Sequence, residues 1–278
     1  MIDLRDVAAS LQLGDDGIWV AGTKSDVSYP ASGNEFCAEI EAGSFWFEHR
    51  NRCLLAALER FPPGGALFDI GGGNGFVALA IQSAGFEVVL VEPGPDGTAN
   101  ARRRGIHNVV CSTLEDAGFQ DGKLAAVGLF DVLEHIENDR RFLTSIRRYL
   151  ARQGRLYLTV PALAALWSQE DVDAGHYRRY AAGGLKRLLA ETGYEVEYLT
   201  YLFRWLPPAI LLARALPYRL GVRRAQAELI ERAREHHQAG GSMSRTVLTR
   251  LLSRELALVR AGRRLSLGSS CLAVARSA

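Results

Sequence analysis

The 278-residue chain is poor in cysteine: Cys37, Cys53, Cys111 and Cys271 are dispersed, with no C-x-x-C spacing. That argues against a disulfide scaffold or a zinc knuckle and fits a reducing compartment. Long apolar runs are also missing. The most apolar stretch, from Leu199 to Leu220, is broken by Arg204, Arg214, Arg219 and the pair Pro207-Pro208, whereas a membrane-spanning helix needs about 20 mostly apolar residues. The first sixteen residues carry Asp3, Arg5, Asp6, Asp15 and Asp16 with no basic flank leading into an apolar run, so no secretory signal is expected and the expected location is cytoplasmic. There is no fixed-period repeat or low-complexity tract, and 48% hydrophobic with 23% charged residues excludes wholesale disorder and fibrous folds.

Charge is unevenly spread. The net charge is +2, yet residues 201–264 hold thirteen arginines, four glutamates and no lysine, a balance of +9 against −7 for the remainder. A basic surface attracts phosphate, acidic carrier proteins or anionic lipid, and a charge run on helices also serves as an ordinary solvated face. Without lysine, aromatic interleaving or a known module, this tail does not read as a nucleic-acid binder.

Apolar runs ending in glycine or acidic punctuation alternate with helical spacing, the pattern of a parallel sheet. Strands are expected over Ala66 to Ile70, Glu87 to Val91, Asn108 to Cys111, Ala125 to Asp131, Arg155 to Val160, Tyr194 to Leu199 and Leu267 to Ala275. Helices are expected to begin near Phe76, Asp96 and Asn138, the last stopped by Gly154, with another over Gly183 to Glu191. Upstream, Asn34 to Phe61 reads as a helical antechamber whose Phe45-Trp46-Phe47 exceeds the need of one buried face; the trio either covers a ligand or packs beneath a sheet edge. Downstream, Val247, Leu248, Leu251, Leu252, Leu256 and Val259 form a helical stripe that needs a partner surface.

The sharpest local signal is Phe68-Asp69-Ile70-Gly71-Gly72-Gly73-Asn74-Gly75, placed where a strand ends and a helix begins. Glycine lets the backbone turn tightly and approach a ligand. The dinucleotide spacing G-x-G-x-x-G fails because position 76 is Phe, and a Walker loop fails for want of Lys followed by Ser or Thr. Seventeen residues beyond Gly75 the second strand ends in Glu92-Pro93. Alone, Glu92 reads as a surface acid; at this offset its carboxylate suits the two hydroxyls of a ribose.

On these motifs the chain resembles the class I S-adenosylmethionine-dependent methyltransferases over roughly Phe45 to Leu199 and the last strand. The resemblance implies a Rossmann-like, doubly wound, mostly parallel seven-stranded α/β sheet, with an N-terminal helical lid (1–61), a cofactor-binding core (62–200) and a basic helical insertion before the closing strand (201–278). It implies that Asp69, Gly71, Gly73 and Gly75 wrap the methionine end of S-adenosylmethionine, that Glu92 holds the ribose, and that Pro93 faces the adenine. Ser112 stands where the family usually has an acid reaching the adenine amine, with Leu114 nearby. The post-strand motif Asp131-Val132-Leu133-Glu134-His135 places Asp131 on the methionine side.

For a hydroxyl acceptor a base is needed, and histidine titrates in the right range. His135 lies past the fourth strand's end, and His176 lies in the irregular Trp167 to Tyr180 segment; its G-H-x-R-R-Y run resembles a bacterial subset of the family. Asp131, Glu134 and His135 also resemble the E-x-x-E-H metal site of O-methyltransferases acting on quinone precursors; with Asp131 already given to the cofactor, no metal is expected. Arg178 and Arg179 either grip an anionic group of the substrate or pair with Asp171 and Asp173; Tyr177, Trp46 and Arg50 are further candidates for substrate or cofactor contact. The expected activity is methyl transfer to oxygen or nitrogen of a small-molecule or carrier-borne acceptor. The alternative is a non-catalytic cofactor-binding module that docks an acidic partner or a membrane surface through its basic tail. A nicotinamide-dependent oxidoreductase is disfavoured by the glycine spacing. The oligomeric state is left open.

Overall fold

A run of apolar residues covered on both faces makes a central parallel strand, and four such runs build the middle of this sheet. The computed structural model of the chain describes residues 2–22, 44–223 and 242–278; Cys37 and the start of the expected antechamber lie outside the described residues. The strands are β1 (Leu11–Leu13), β2 (Ile18–Ala21), β3 (Leu67–Ile70), β4 (Val88–Glu92), β5 (Asn108–Cys111), β6 (Leu124–Phe130), β7 (Leu150–Pro161), β8 (Tyr194–Leu202) and β9 (Ser270–Ser277). They form one sheet in the order β1-β2-β5-β4-β3-β6-β7-β9-β8. Strands β2 through β7 pair in parallel, whereas β1 and β9 run antiparallel to their neighbours. The chain leaves β3 on one side for β4 and returns on the other for β6, so a crevice opens at the carboxyl ends of these strands.

The described sheet has nine strands, not the expected seven. The extra pair comes from residues 11–21, where β2 adds to β5 with Ile18 opposite Val109 and β1 closes back on it. This part of the expected helical lid is therefore a sheet extension, and three- and four-residue strands are too short to show periodicity. Gly154 is not the stop of a helix. The helix before it ends at Tyr149, and Leu150 passes directly into β7; Gly154 sits inside that strand next to Gln153 at φ +65°, where a Cβ would lie 2.8 Å from the Ala151 carbonyl oxygen.

The helices are α1 (Phe45–Arg60), α2 (Phe76–Ser83), α3 (Pro95–Arg103), α4 (Asp139–Tyr149), α5 (Gln169–Asp173), α6 (Ala182–Glu191), α7 (Pro207–Ile210), α8 (Leu216–Arg219) and α9 (Ser242–Arg260), with a π turn over Leu211–Ala215 joining α7 to α8. Ser44 caps α1 by accepting from Phe47 N, Asn138 caps α4 by accepting from Arg141 N, and α3 starts on Pro95, in line with N-terminal preferences. One core layer holds Phe68, Val89, Leu129, Leu158 and Leu185; the other holds Leu67, Leu90, Val109, Tyr157 and Leu272 together with Cys53 and Leu54 of α1. The apolar stripe of α9 finds its partner here: Leu252 and Val259 are buried in this second layer, and α9 packs along α1. Among the described residues no helix is long and apolar enough to cross a membrane.

Candidate functional site

Strand β3 delivers Asp69 and Ile70 to the sheet edge, and the chain then turns through Gly71, Gly73 and Gly75 at φ +70°, +52° and +79°. These are left-handed conformations in which a side chain is strained. At Gly75 space is also short, since a Cβ would lie 2.9 Å from that of Ala101 in α3. The turn is tied to the end of β4: Gly73 N donates to Glu92 Oε2 at 3.0 Å and Gly94 N donates to Oε1 at 2.8 Å. Glu92 is buried, and burial raises its pKa against the pull of these two backbone bonds. Each clamped oxygen keeps a further lone pair for a ligand hydroxyl.

Two neighbouring groups have polar atoms without a hydrogen-bond partner among the described residues. Asp69 is 1% exposed with Oδ2 unmatched, and Ser112, after β5, has its Oγ unmatched. Burial pushes the Asp69 carboxyl up to about 7, the Arg50 charge pulls it down, and Glu92 pushes it up. A buried polar atom left unpaired costs about 1–3 kcal/mol, so these strand ends are built for a polar ligand. Leu114 is buried beside them and Pro93 half-buried. Glycine cradle, ribose-type acid and orphaned oxygens together fit an adenosyl cofactor.

At the end of β6, Asp131 adopts φ +57°, strain of about 1–3 kcal/mol that clusters at functional sites. Its Oδ1 accepts from Thr159 Oγ1 at 3.1 Å, and its Oδ2 takes an ion pair from Arg50. Arg50 is buried between the Trp46 and Phe47 rings, 5.0 Å from each centroid. It is thus committed to Asp131, and Trp46 stacks flat on Phe203 at 5.4 Å. A 3-10 turn, Leu133–His135, follows. Glu134 is buried with Oε2 unpartnered, and burial, then the Asp131 charge, raises its pKa well above the usual range. Burial, then the neighbouring His176, lowers His135 to about 4.

The Trp167 to Tyr180 segment folds over this edge, with Tyr177 N donating to the Glu134 carbonyl at 2.8 Å. A capping box between Ser168 and Asp171 opens α5. Asp171 accepts from Ser168 N (2.9 Å), His176 Nδ1 (2.9 Å) and Arg179 Nε (2.8 Å). Burial acts to raise its pKa, but the bonds from His176 and Arg179 hold it below the usual value. In the neutral tautomer that donates Nδ1–H to Asp171, His176 presents Nε2 as an acceptor; its ring lies 4.8 Å from that of His135, nearly perpendicular.

Of the two alternatives for Arg178 and Arg179, the structure shows pairing with acids, with Asp139 rather than Asp173 as the partner of Arg178. Arg179 is tied to Asp171, and Arg178 pairs with Asp139 at 2.7 Å and donates to the Glu137 carbonyl, so both hold the segment closed. Tyr177 remains 53% exposed. Glu134, His135 and His176 bring potential ligand atoms within 4.8 Å of one another, a set that differs from the motif residues Asp131, Glu134 and His135, and Asp131 is paired with Arg50.

Sequence reasoning missed the Asp171–His176 pairing, for which the Ser168-x-x-Asp171 cap was the available signal. It also missed a buried latch in which His49 Nε2 donates to Glu255 Oε1 at 2.8 Å, while Glu255 accepts from Phe203 N (2.6 Å) and Arg204 N (2.8 Å). An acid between Leu252 and Leu256 in an apolar stripe was its trace.

The switch-point crevice, the glycine turn and the clamped acid define a nucleoside-binding α/β sheet. A family profile described as a methyltransferase domain matches residues 43–199, over half of the chain; the chain belongs to this family, the class I S-adenosylmethionine-dependent methyltransferases. A probable S-adenosylmethionine-dependent methyltransferase of Mycobacterium tuberculosis is 23% identical over 177 residues, 63% of this chain and 64% of that protein. The chain therefore spans just under two thirds of that relative. A ubiquinone biosynthesis O-methyltransferase of Xanthomonas oryzae pv. oryzae is 27% identical over 162 residues, 49% of this chain and 68% of that one. Among solved structures, a putative methyltransferase from Bacillus halodurans shares the fold at TM-score 0.51 and 20% identity, over 80% of this chain and 98% of its own.

Proposed function

We propose that the chain transfers a methyl group from S-adenosylmethionine to oxygen or nitrogen of a small-molecule or carrier-borne acceptor, by direct displacement. The observation that carries this reading is the left-handed glycine turn tied to the clamped Glu92, beside the unmatched oxygens of Asp69 and Ser112. In this reading Asp69, Gly71, Gly73 and Gly75 hold the methionine end, Glu92 the ribose, Pro93, Ser112 and Leu114 the adenine, and Asp131 the methionine side. When bound, the cofactor supplies an electrophilic methyl group. The protein's part is alignment, worth about 7 kcal/mol or more of barrier lowering.

For a hydroxyl acceptor, His176 Nε2 takes the proton. Asp171 fixes the tautomer and steadies the charged ring that results, an arrangement that suits a general base. His135, held near pKa 4, is too weak a base at neutral pH and serves as a wall of the acceptor site with Tyr177. The likeness to an O-methyltransferase of ubiquinone biosynthesis favours oxygen.

Calorimetry is expected to show S-adenosylhomocysteine binding that Gly73→Val abolishes while circular dichroism stays unchanged. Undiminished binding by a folded variant overturns the cofactor assignment. A screen of tritiated methyl incorporation into sugars, phenols and carrier-linked acids then identifies the acceptor class.

A further inference from the structure

Between β8 and Arg223 the chain forms a segment unlike the rest of the described surface. From Tyr198 to Ala227 there is no acidic residue, while Arg204, Arg214, Arg219 and Arg223 fall within it. Pro208, Leu212, Leu216 and Leu220 recur every fourth position, so they share one side of the helical stretch. Leu212, Leu216 and Leu220 are 66%, 42% and 74% exposed, and Trp205 and Val222 are each 49% exposed at its two ends. Ala215 is fully buried. Scattered exposed apolar residues are ordinary, but six large ones within 205–222, half of all those exposed among the described residues, are not.

The arginines frame this face. Arg204 lies over the Trp205 ring at 4.7 Å and Arg223 over Tyr218 at 4.4 Å. Arg214 reaches Glu170 at 3.4 Å and Arg219 donates to the Ala165 carbonyl at 2.8 Å. These last two contacts fasten the segment to the stretch that leads through Asp171 to His176.

We propose that this face docks on an anionic lipid bilayer. An apolar spine with a tryptophan at one end, arginines around it and no acid is the pattern of a helix that lies in the headgroup plane. A second copy of the chain fits poorly, because Glu170, the carboxylate beside this face, is already paired with Arg214 of its own chain, so two such faces bring arginines together unanswered. Resting on the methyl-transfer reading, the acceptor class follows: an amphiphile whose polar head is presented from the membrane to the His176 edge.

The test is vesicle flotation of the full chain with phosphatidylcholine alone and with phosphatidylcholine mixed with phosphatidylglycerol. Wild type is expected to float with the mixed vesicles only, and less so at high salt. The double variant Leu212→Asp/Leu220→Asp is expected to lose about tenfold or more of its partitioning, whereas Val247→Asp, on α9, keeps it. S-adenosylhomocysteine binding by the double variant, measured by calorimetry, should equal that of wild type, which keeps a docking failure distinct from a cofactor failure. Equal binding to both vesicle types, flotation of the double variant at the wild-type level, or a wild-type dimer that the double variant splits into monomers would each overturn the proposal.

Discussion

Asparagine at position 69 would remove a charge that the fold makes expensive, and the size of the effect follows from its surroundings. Asp69 is 1% exposed and its carboxyl is held at about 7, up from 3.8, chiefly by burial. At about 1.4 kcal/mol per pKa unit, ionising it in the fold costs about 4 kcal/mol more than in the unfolded chain. Between these two values the folded chain keeps a proton that the unfolded chain has released. Stability therefore falls as pH rises through the window and levels off above 7. About 2–3 kcal/mol of the loss falls between pH 5 and pH 8.

Asparagine cannot ionise, and its amide brings an unpaired-donor cost of about 1–3 kcal/mol that does not change with pH. The informative quantity is thus a difference of differences. Urea denaturation of wild type and Asp69→Asn at pH 5 and pH 8 should show their stability gap moving by about 2–3 kcal/mol in favour of the variant at the higher pH. A gap that moves by less than about 0.5 kcal/mol would refute the claim that desolvation governs this carboxyl. The same variant should bind S-adenosylhomocysteine more weakly, since a carboxylate kept at such cost is retained for a ligand.

Two further outcomes test the packing. Gly75→Ala combines a left-handed backbone with a 2.9 Å approach to Ala101 and should lose about 2–4 kcal/mol, whereas Gly122→Ala, at φ +70° with open space around it, should lose about 1 kcal/mol; equal losses in urea would mean that α3 yields freely. Glu255→Gln turns a donor toward a group of donors and should lower stability by about 2–4 kcal/mol, with an unshifted thermal midpoint as the contrary result.

The middle of the fold was legible because β3, β4 and β6 are buried on both faces and end in glycine or an acid, so each reads as one apolar run with a stop. The N-terminal strands were not, since β1 and β2 offer only seven residues between them and β2 draws its pairing from the distant β5. Gly154 misled for a local reason: glycine also serves a kink within a strand, and Gly154 is used that way beside Gln153 in β7. In the site, the glycine turn and Glu92 could be seen because their residue types answer to backbone geometry. The partners of Arg50, His49 and Arg178 could not, because each lies beyond any helical or strand period: 81 residues separate Arg50 from Asp131 and 206 separate His49 from Glu255.

Those long-range pairs make the N-terminal helix and the C-terminal insertion one electrostatic unit with the strand ends. Burying the Arg50–Asp131 pair is weak evidence of stabilisation, because desolvating both ions offsets most of their attraction. What Arg50 does supply is a positive charge among buried acids: it pulls down the pKa of both Asp69 and Glu134, which burial otherwise drives up. Its side chain is kept from water by Trp46 and Phe47, and Trp46 in turn rests on Phe203. Phe203 adopts φ +59° and donates its backbone N–H to Glu255 of α9. The charge state of the site's carboxyls thus depends on a guanidinium on α1, and α1 is fixed in place by an acid on the inserted helix.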